Sequence, residues 1–297
     1  MPRIFLTGAG GNVGRYTLKE LLRRGYEVTA LARRDTSLEG GRAVQASLSE
    51  PGKYAGEAAA ADGIIHLAST MSSDRNVVIS EDILGTGFLL DSWKRGNFIY
   101  LSTQAVYGIP RGPLTEEHPL SPMCWHEIGK ICCENQLVSA PLRPEGGAAI
   151  SLRIPPFFGP GGKTPGSLLL ENIHEHLVRA HTFAFETEEA LETAGTSFIG
   201  PADLASVLAD SLGLKSSGTY NVSGGFCTWR KLLDEMGRRG GFVPKLSLIS
   251  KLSPGTHYVR MPKTRTFVDG SVFSRLSGFV PARTLVDLVN DFFDARS

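Results

Sequence analysis

At 297 residues, with 41% hydrophobic and 21% charged residues and a formal net charge of +1, the chain can fill one large domain with a smaller satellite, and it lacks a broad basic surface for nucleic acid. Met1, Pro2 and Arg3 run straight into a short apolar stretch, too short for a secretory leader or a membrane span, so a cytoplasmic protein with no membrane role is expected. The cysteines Cys124, Cys132, Cys133 and Cys227 lack the spacing of zinc ribbons, and His174 and His176 lie two apart on a predicted helix, so reduced thiols and no metal are expected.

In chain order, residues 4–7 read as a buried strand, 16–24 as a helix carrying Leu18, Leu21 and Leu22, and 26–32 as a second strand. Together they have the length of a β-α-β unit. The alternation continues with strands at 64–68, 98–102 and 149–154 and helices at 83–93 and 128–138. Such alternation predicts a parallel sheet with helices on both faces, because right-handed crossovers place each helix over the sheet. Beyond Pro155 come Gly-Pro turns, a helix around 167–180, an acidic stretch at 186–192 and a helix from near Asp203. A helix at 228–238 with Thr228 as its cap and an amphipathic helix at 285–293 close the chain.

Thr7-Gly8-Ala9-Gly10-Gly11-Asn12-Val13-Gly14 joins the first strand to the first helix, where free backbone N–H groups and the helix dipole favour an anion. Gly8, Gly11 and Gly14 stand where a tight turn, close approach to phosphate and close helix packing each exclude a side chain. A dinucleotide pyrophosphate is the natural guest, contacted by Gly8, Gly10, Gly11, Asn12, Val13 and Gly14. The second strand ends Leu31-Ala32-Arg33-Arg34, with arginines for a 2′-phosphate and no acid for a ribose hydroxyl, so NADP(H) is expected over NAD(H). The fold class is therefore α/β, a Rossmann-type doubly wound parallel sheet over residues 1–160, to which 195–215 return. Residues 161–297 read mainly as a smaller C-terminal substrate-binding cap.

The glycine turn, His66-Leu67-Ala68, Gly85-Thr86, Leu101-Ser102-Thr103-Gln104-Ala105-Val106-Tyr107-Gly108, Leu114-Thr115-Glu116, Arg153, Phe158-Gly159-Pro160-Gly161, Asp203-Leu204-Ala205 and Tyr220-Asn221-Val222 follow one another in order. In this the chain resembles the extended short-chain dehydrogenase/reductases, the NAD-dependent epimerase/dehydratase family, over nearly its whole length. The resemblance implies that Thr103 hydrogen-bonds the substrate oxygen and that Lys130 binds the nicotinamide ribose and takes part in proton transfer. It implies further cofactor contacts at Leu67, Ala68 and Ile154, and a homodimer built on helices 83–95 and 128–138.

The family's catalytic tyrosine is expected four residues before Lys130, and His126 stands there. The i, i+4 spacing keeps both side chains on one helix face. A histidine beside a lysine is pushed toward its neutral form, which suits a base better than an acid. Three readings stay open: His126 replaces the acid/base; it contacts substrate while Tyr107, Cys124 or Glu116 moves the proton; or hydride chemistry is lost and the fold serves binding or a non-redox reaction. Ser47, Asp82 and Pro156 are further departures, standing for an adenine-contacting aspartate and two asparagines. Met123 and Trp125 would line an apolar pocket, and Lys163, Arg179, His181 and Arg260 would meet phosphates.

The leading expectation is an NADP(H)-dependent oxidoreductase or epimerase acting on a hydroxyl or keto group of a small-molecule substrate, a nucleotide sugar or similar secondary metabolite. The alternatives are a non-redox isomerase, dehydratase or cyclase, and a non-catalytic NADP(H)-binding module.

Overall fold

The apolar runs of the N-terminal half become the inner strands of one sheet. The computed structural model describes residues 1–33, 38, 40–109, 112–139, 144, 146–161 and 168–296. Arg3–Thr7 (β1) turns into Asn12–Arg23 (α1), followed by Glu27–Ala32 (β2), Arg42–Gln45 (β3), Ala55–Ala60 (α2) and Gly63–His66 (β4). A helical stretch then runs in three pieces, Arg75–Val77 (α3), a π-helical turn at Val78–Ile83, and Leu84–Ser92 (α4). Phe98–Thr103 (β5), Trp125–Ser139 (α5) and Ala149–Ile154 (β6) complete the alternation.

The later chain forms Leu169–Val178 (α6), Thr182–Phe185 (β7), Glu188–Thr193 (α7), Gly195–Phe198 (β8), Pro201–Ser211 (α8), Gly218–Asn221 (β9) and Gly225–Thr228 (β10). Trp229–Gly240 (α9), Lys245–Leu248 (β11), Tyr258–Arg260 (β12), Arg265–Thr266 (β13), Ser271–Ser277 (α10) and Leu285–Asp294 (α11) follow.

Seven strands lie in the order β3-β2-β1-β4-β5-β6-β9, with every neighbouring pair parallel. β4 and β6 are buried at every residue because helices cover both faces of the sheet. One face packs Ile4, Leu6 and Ile150 against Leu21 of α1, Leu204 and Leu208 of α8 and Phe273 of α10. The other packs Phe5, Ile64 and Phe98 against Ala58, Leu89 and Leu137 of α2, α4 and α5. Strand order reverses between β1 and β4, so the carboxyl ends of these strands open a crevice at that edge.

A second core joins Phe183, Phe185, Phe198, Leu232, Met236, Leu288 and Phe292 around two three-stranded sheets, β10-β8-β13 and β11-β7-β12. β8 therefore belongs to the cap, paired with β10, although it falls inside the segment 195–215 read as returning to the first domain. α8 packs in the same core as α1, and β9 is a seventh strand of the sheet that the sequence reading does not contain. The cap expected at Thr228 forms, its hydroxyl accepting from Lys231 N, and on α11 Thr284 with Asp287 makes a reciprocal capping box that the sequence reading does not contain. Arg34 and Lys163 lie outside the described residues. Among the described residues no helix is long and apolar enough to cross a membrane.

Candidate active site

The turn after β1 is shaped by what its glycines exclude. Gly8 has φ +77°, and a Cβ there would stand 2.8 Å from Ala68 N and 2.9 Å from the Leu67 carbonyl carbon, so this turn presses on the turn after β4. At Gly14 a Cβ would lie 2.0 Å from Gly8 O, and α1 could not seat against the strand end. Gly11 caps the helix without a side-chain bond, and Gly10 and Gly11 are exposed. The first helical N–H groups, those of Asn12, Val13 and Gly14, have no acceptor one turn back. Asn12 Nδ2 is buried without a hydrogen-bond partner among the described residues. Unspent donors at the positive end of a helix dipole, over a floor with no room for side chains, fit a pyrophosphate. Arg33 lies exposed just past β2, where a ribose 2′-substituent would be met.

Behind this turn a chain of hydrogen bonds ties β1, β4 and α4 together. Ala68 N donates to Thr7 Oγ1 at 3.1 Å, Thr7 Oγ1 lies 2.6 Å from His66 Nδ1, and His66 Nε2 lies 3.0 Å from Thr86 Oγ1. Thr86 spends its proton on the Asp82 carbonyl at 2.6 Å, so its oxygen accepts from His66 Nε2–H and Thr7 donates to Nδ1. Burial, aided by the Lys130 ammonium, pushes the His66 pKa down to about 3, so the ring stays neutral in this role.

The three residues assigned to catalysis lie on adjacent elements. Thr103 ends β5, and its Oγ1 accepts Ala105 N–H at 3.2 Å, which leaves its own proton free to donate. Beside it Gln104 Oε1 is buried with no partner among the described residues. Lys130 is buried on α5, its Nζ donating to Leu101 O at 2.7 Å and lying 4.7 Å from the centre of the Tyr100 ring. Burial lowers its pKa, while Cys133, Asp82 and Glu134 pull the other way. His126 stands one turn earlier, half-buried, with Nδ1 3.5 Å from Ser69 Oγ. Burial is the first cause and the Lys130 charge the second that take its pKa down to about 4, against the pull of Glu127. The sequence reading gives the neutral state to the lysine alone; burial contributes more.

The side chains held in reserve for proton transfer are otherwise occupied or exposed. Tyr107 is 1% exposed; its hydroxyl donates to Asn221 Oδ1 at 2.7 Å and accepts from Arg153 Nη1 at 2.9 Å. Arg153 in turn grips Glu134 at 2.6 Å, and Ser102 donates to the same carboxylate at 2.5 Å. This network binds β5, α5, β6 and β9 below the crevice. Glu116 accepts from Asn221 N at 2.9 Å, and Cys124 is exposed. Ser47 donates to Glu81, which also accepts from Ser49 at 2.8 Å, so a carboxylate from the π-helical turn sits beside the serine.

Met123 is 67% exposed, and Trp125 takes Arg75 over its ring at 5.9 Å. In the cap, Arg179 is paired with Glu175 at 2.6 Å, Arg260 with Glu186, and His181 lies against His176. His174 instead packs among Phe242, Phe292 and Phe293, so the two helical histidines face apart. Among the described residues no group of three or more His, Cys, Asp or Glu is arranged to hold a metal. Sequence reasoning noted Asp82 only as a departure and missed Ser69. Asp82 Oδ1 accepts Thr70 N–H and Oδ2 the Thr70 hydroxyl, both at 2.8 Å, which fixes the loop after β4. A carboxylate where an asparagine is expected was the available signal; Ser69 offered none.

The model of the NAD dependent epimerase/dehydratase family matches residues 4–193. A curated relative, a decarboxylating sterol-4-alpha-carboxylate 3-dehydrogenase of Dictyostelium discoideum, is 26% identical over 178 residues, 54% of this chain and 54% of the relative. The match thus spans about half the length of that relative. Among solved structures, the UDP-Glc/GlcNAc 4-epimerase of Campylobacter jejuni superposes with TM-score 0.79 at 19% identity, covering 99% of this chain and 98% of that one. A UDP-glucose-4-epimerase of Stenotrophomonas maltophila with bound NAD gives TM-score 0.79 at 18% identity, covering 99% and 97%. At such identities the structures speak for the fold, and the family model for the lineage. With the glycine turn, the parallel order 3-2-1-4-5-6 and a matched stretch covering most of the chain, this protein belongs to the NAD dependent epimerase/dehydratase family, a family of enzymes built on the extended short-chain dehydrogenase/reductase fold.

Proposed function

We propose that this enzyme binds NADP(H) in preference to NAD(H) and oxidises or reduces a hydroxyl or keto group of a small molecule, with Thr103, His126 and Lys130 around the reacting carbon. The observation that carries the reading is the pairing of His126 with Lys130 one turn apart on α5, beside a glycine turn whose donors are unspent. Gly8, Gly10, Gly11, Asn12, Val13 and Gly14 would cradle the pyrophosphate, Arg33 would meet the 2′-phosphate, and Leu67, Ala68 and Ile154 would line the path to the nicotinamide. When bound, that cofactor supplies a site that accepts or returns hydride. Thr103 donates its free proton to the substrate oxygen and so orients it. His126, neutral at pH 7, takes the hydroxyl proton through Nε2 as the C–H bond breaks; in the reverse direction it is the weaker partner, since the imidazolium is scarce. Lys130 holds the ribose and keeps positive charge near the imidazole.

Two substrate classes are suggested by the relatives, a nucleotide sugar and an apolar hydroxylated acid of sterol type. Met123 and Trp125, apolar and close to His126 in sequence, support the second. The test follows nicotinamide absorbance while the protein and NADP+ meet a panel of UDP-sugars and hydroxylated sterol acids. Turnover that falls about 10²–10⁴-fold in His126→Ala supports the assignment; undiminished turnover in that variant refutes it. A homodimer is part of the same reading, with α4 and α5 as its face. There Leu84, 50% exposed, borders a groove of about 600 Å³ with Ile83, Phe88 and Cys132. Light scattering of Leu84→Arg tests it: the wild-type mass should be twice the monomer and that of the variant halved.

A further inference from the structure

The imidazole of His126 can carry its single neutral proton on either nitrogen, and only one choice leaves Nε2 as a base. The neighbour of Nδ1 bears on the choice. Asp82, 6% exposed, receives Thr70 N–H on Oδ1 and both the Thr70 and Ser69 hydroxyls on Oδ2, the latter at 3.4 Å. A carboxylate only accepts, and a hydrogen bond to a charged acceptor is the stronger one, so the single Ser69 proton goes to Asp82. The Ser69 oxygen is then an acceptor, and His126 Nδ1 lies 3.5 Å from it. Such contacts are commonly long before a substrate closes the site. The loop that presents Ser69 is held rather than slack: Thr70 is bonded twice to Asp82, and Met71 sits in the left-handed region at φ +53°. Among the described residues the charges acting on the ring are those of Lys130 and Glu127, both on its own helix.

We propose that Asp82 and Ser69 are positioning residues that fix His126 as the Nδ1–H tautomer, with Nε2 turned to substrate. Neither residue touches the reacting atoms. The relay is Asp82 carboxylate, Ser69 hydroxyl, His126 Nδ1–H, each link donating toward the carboxylate. Its catalytic meaning rests on the reading of His126 as the proton-transfer group, whereas the tautomer itself does not.

The test is imidazole ¹⁵N NMR on the full chain near pH 7, with the His126 signals assigned from the His126→Gln spectrum. The wild type should show a protonated Nδ1 and a free Nε2. Ser69→Ala should shift the proton largely to Nε2, and Ser69→Thr, which keeps the hydroxyl, should retain it on Nδ1. Asp82→Asn should resemble Ser69→Ala, because the freed serine proton can then be given to Nδ1. If Asp82→Asn does not fold, the two serine variants decide alone. A wild-type signal already protonated at Nε2, or one that Ser69→Ala leaves unchanged, overturns the relay. Failure of the functional reading looks different: the tautomer pattern stands while His126→Ala keeps its turnover.

Discussion

The sheet layer and the cap bury different things. Under the crevice the layer encloses His66, Asp82, Lys130, Glu134, Arg153 and Asn221, each held by a partner on a neighbouring strand, helix or loop. The cap encloses Phe183, Phe185, Leu232, Met236 and Phe292, and its ion pairs, Arg230–Glu192 and Lys251–Glu188 among them, stay on the surface. A floor made of strand ends must hold polar groups in fixed directions, and only a closed network does that without leaving a charge unpaired. An apolar cap needs only to fill its volume.

That contrast can be broken from both sides. The largest effect is expected at the buried ion pair: Glu134→Ala leaves Arg153 without its carboxylate and should cost about 3–5 kcal/mol in chemical denaturation, whereas replacing both by apolar residues should cost much less. In the cap Leu232→Ala removes a fully buried side chain, and a loss of about 2–5 kcal/mol is expected. Acid then sharpens the comparison. His66 has its folded pKa near 3 against about 6.5 unfolded, so between these values the unfolded chain binds the extra proton and stability falls as pH drops. The slope from this one residue is about 1.4 kcal/mol per pH unit, and denaturation at several pH values should show it shrink by that amount in His66→Asn. The smallest effect belongs to the cap surface, where Arg230→Ala should change stability by less than about 1 kcal/mol in the same denaturation experiment.

The glycine turn was legible because its requirements are local: Gly8 and Gly14 answer to the backbone within a few residues and to the turn beside it. Lys130 and His126 were legible as a pair because helical spacing alone sets them on one face. β3 and β9 were not, since each has only four residues and β3 is nearly exposed throughout, so neither periodicity nor a buried run marks them. Nor was the fate of Tyr107. Its phenol is consumed by Arg153 and Asn221, residues 46 and 114 positions away, and nothing in the local sequence signals such partners. Ser69 stands between Asp82 and His126 only because the loop after β4 comes against both the π-helical turn and α5.

The crevice between β1 and β4 is proposed to hold a phosphorylated dinucleotide on the glycine turn, with Arg33 reading its ribose. Calorimetric titration of the wild type and Arg33→Ala with NADPH and NADH tests this directly. Saturable binding of NADPH, weaker binding of NADH, and a loss of about tenfold for NADPH alone in Arg33→Ala are expected. Absence of heat with either dinucleotide, under conditions where the protein is folded, would contradict it.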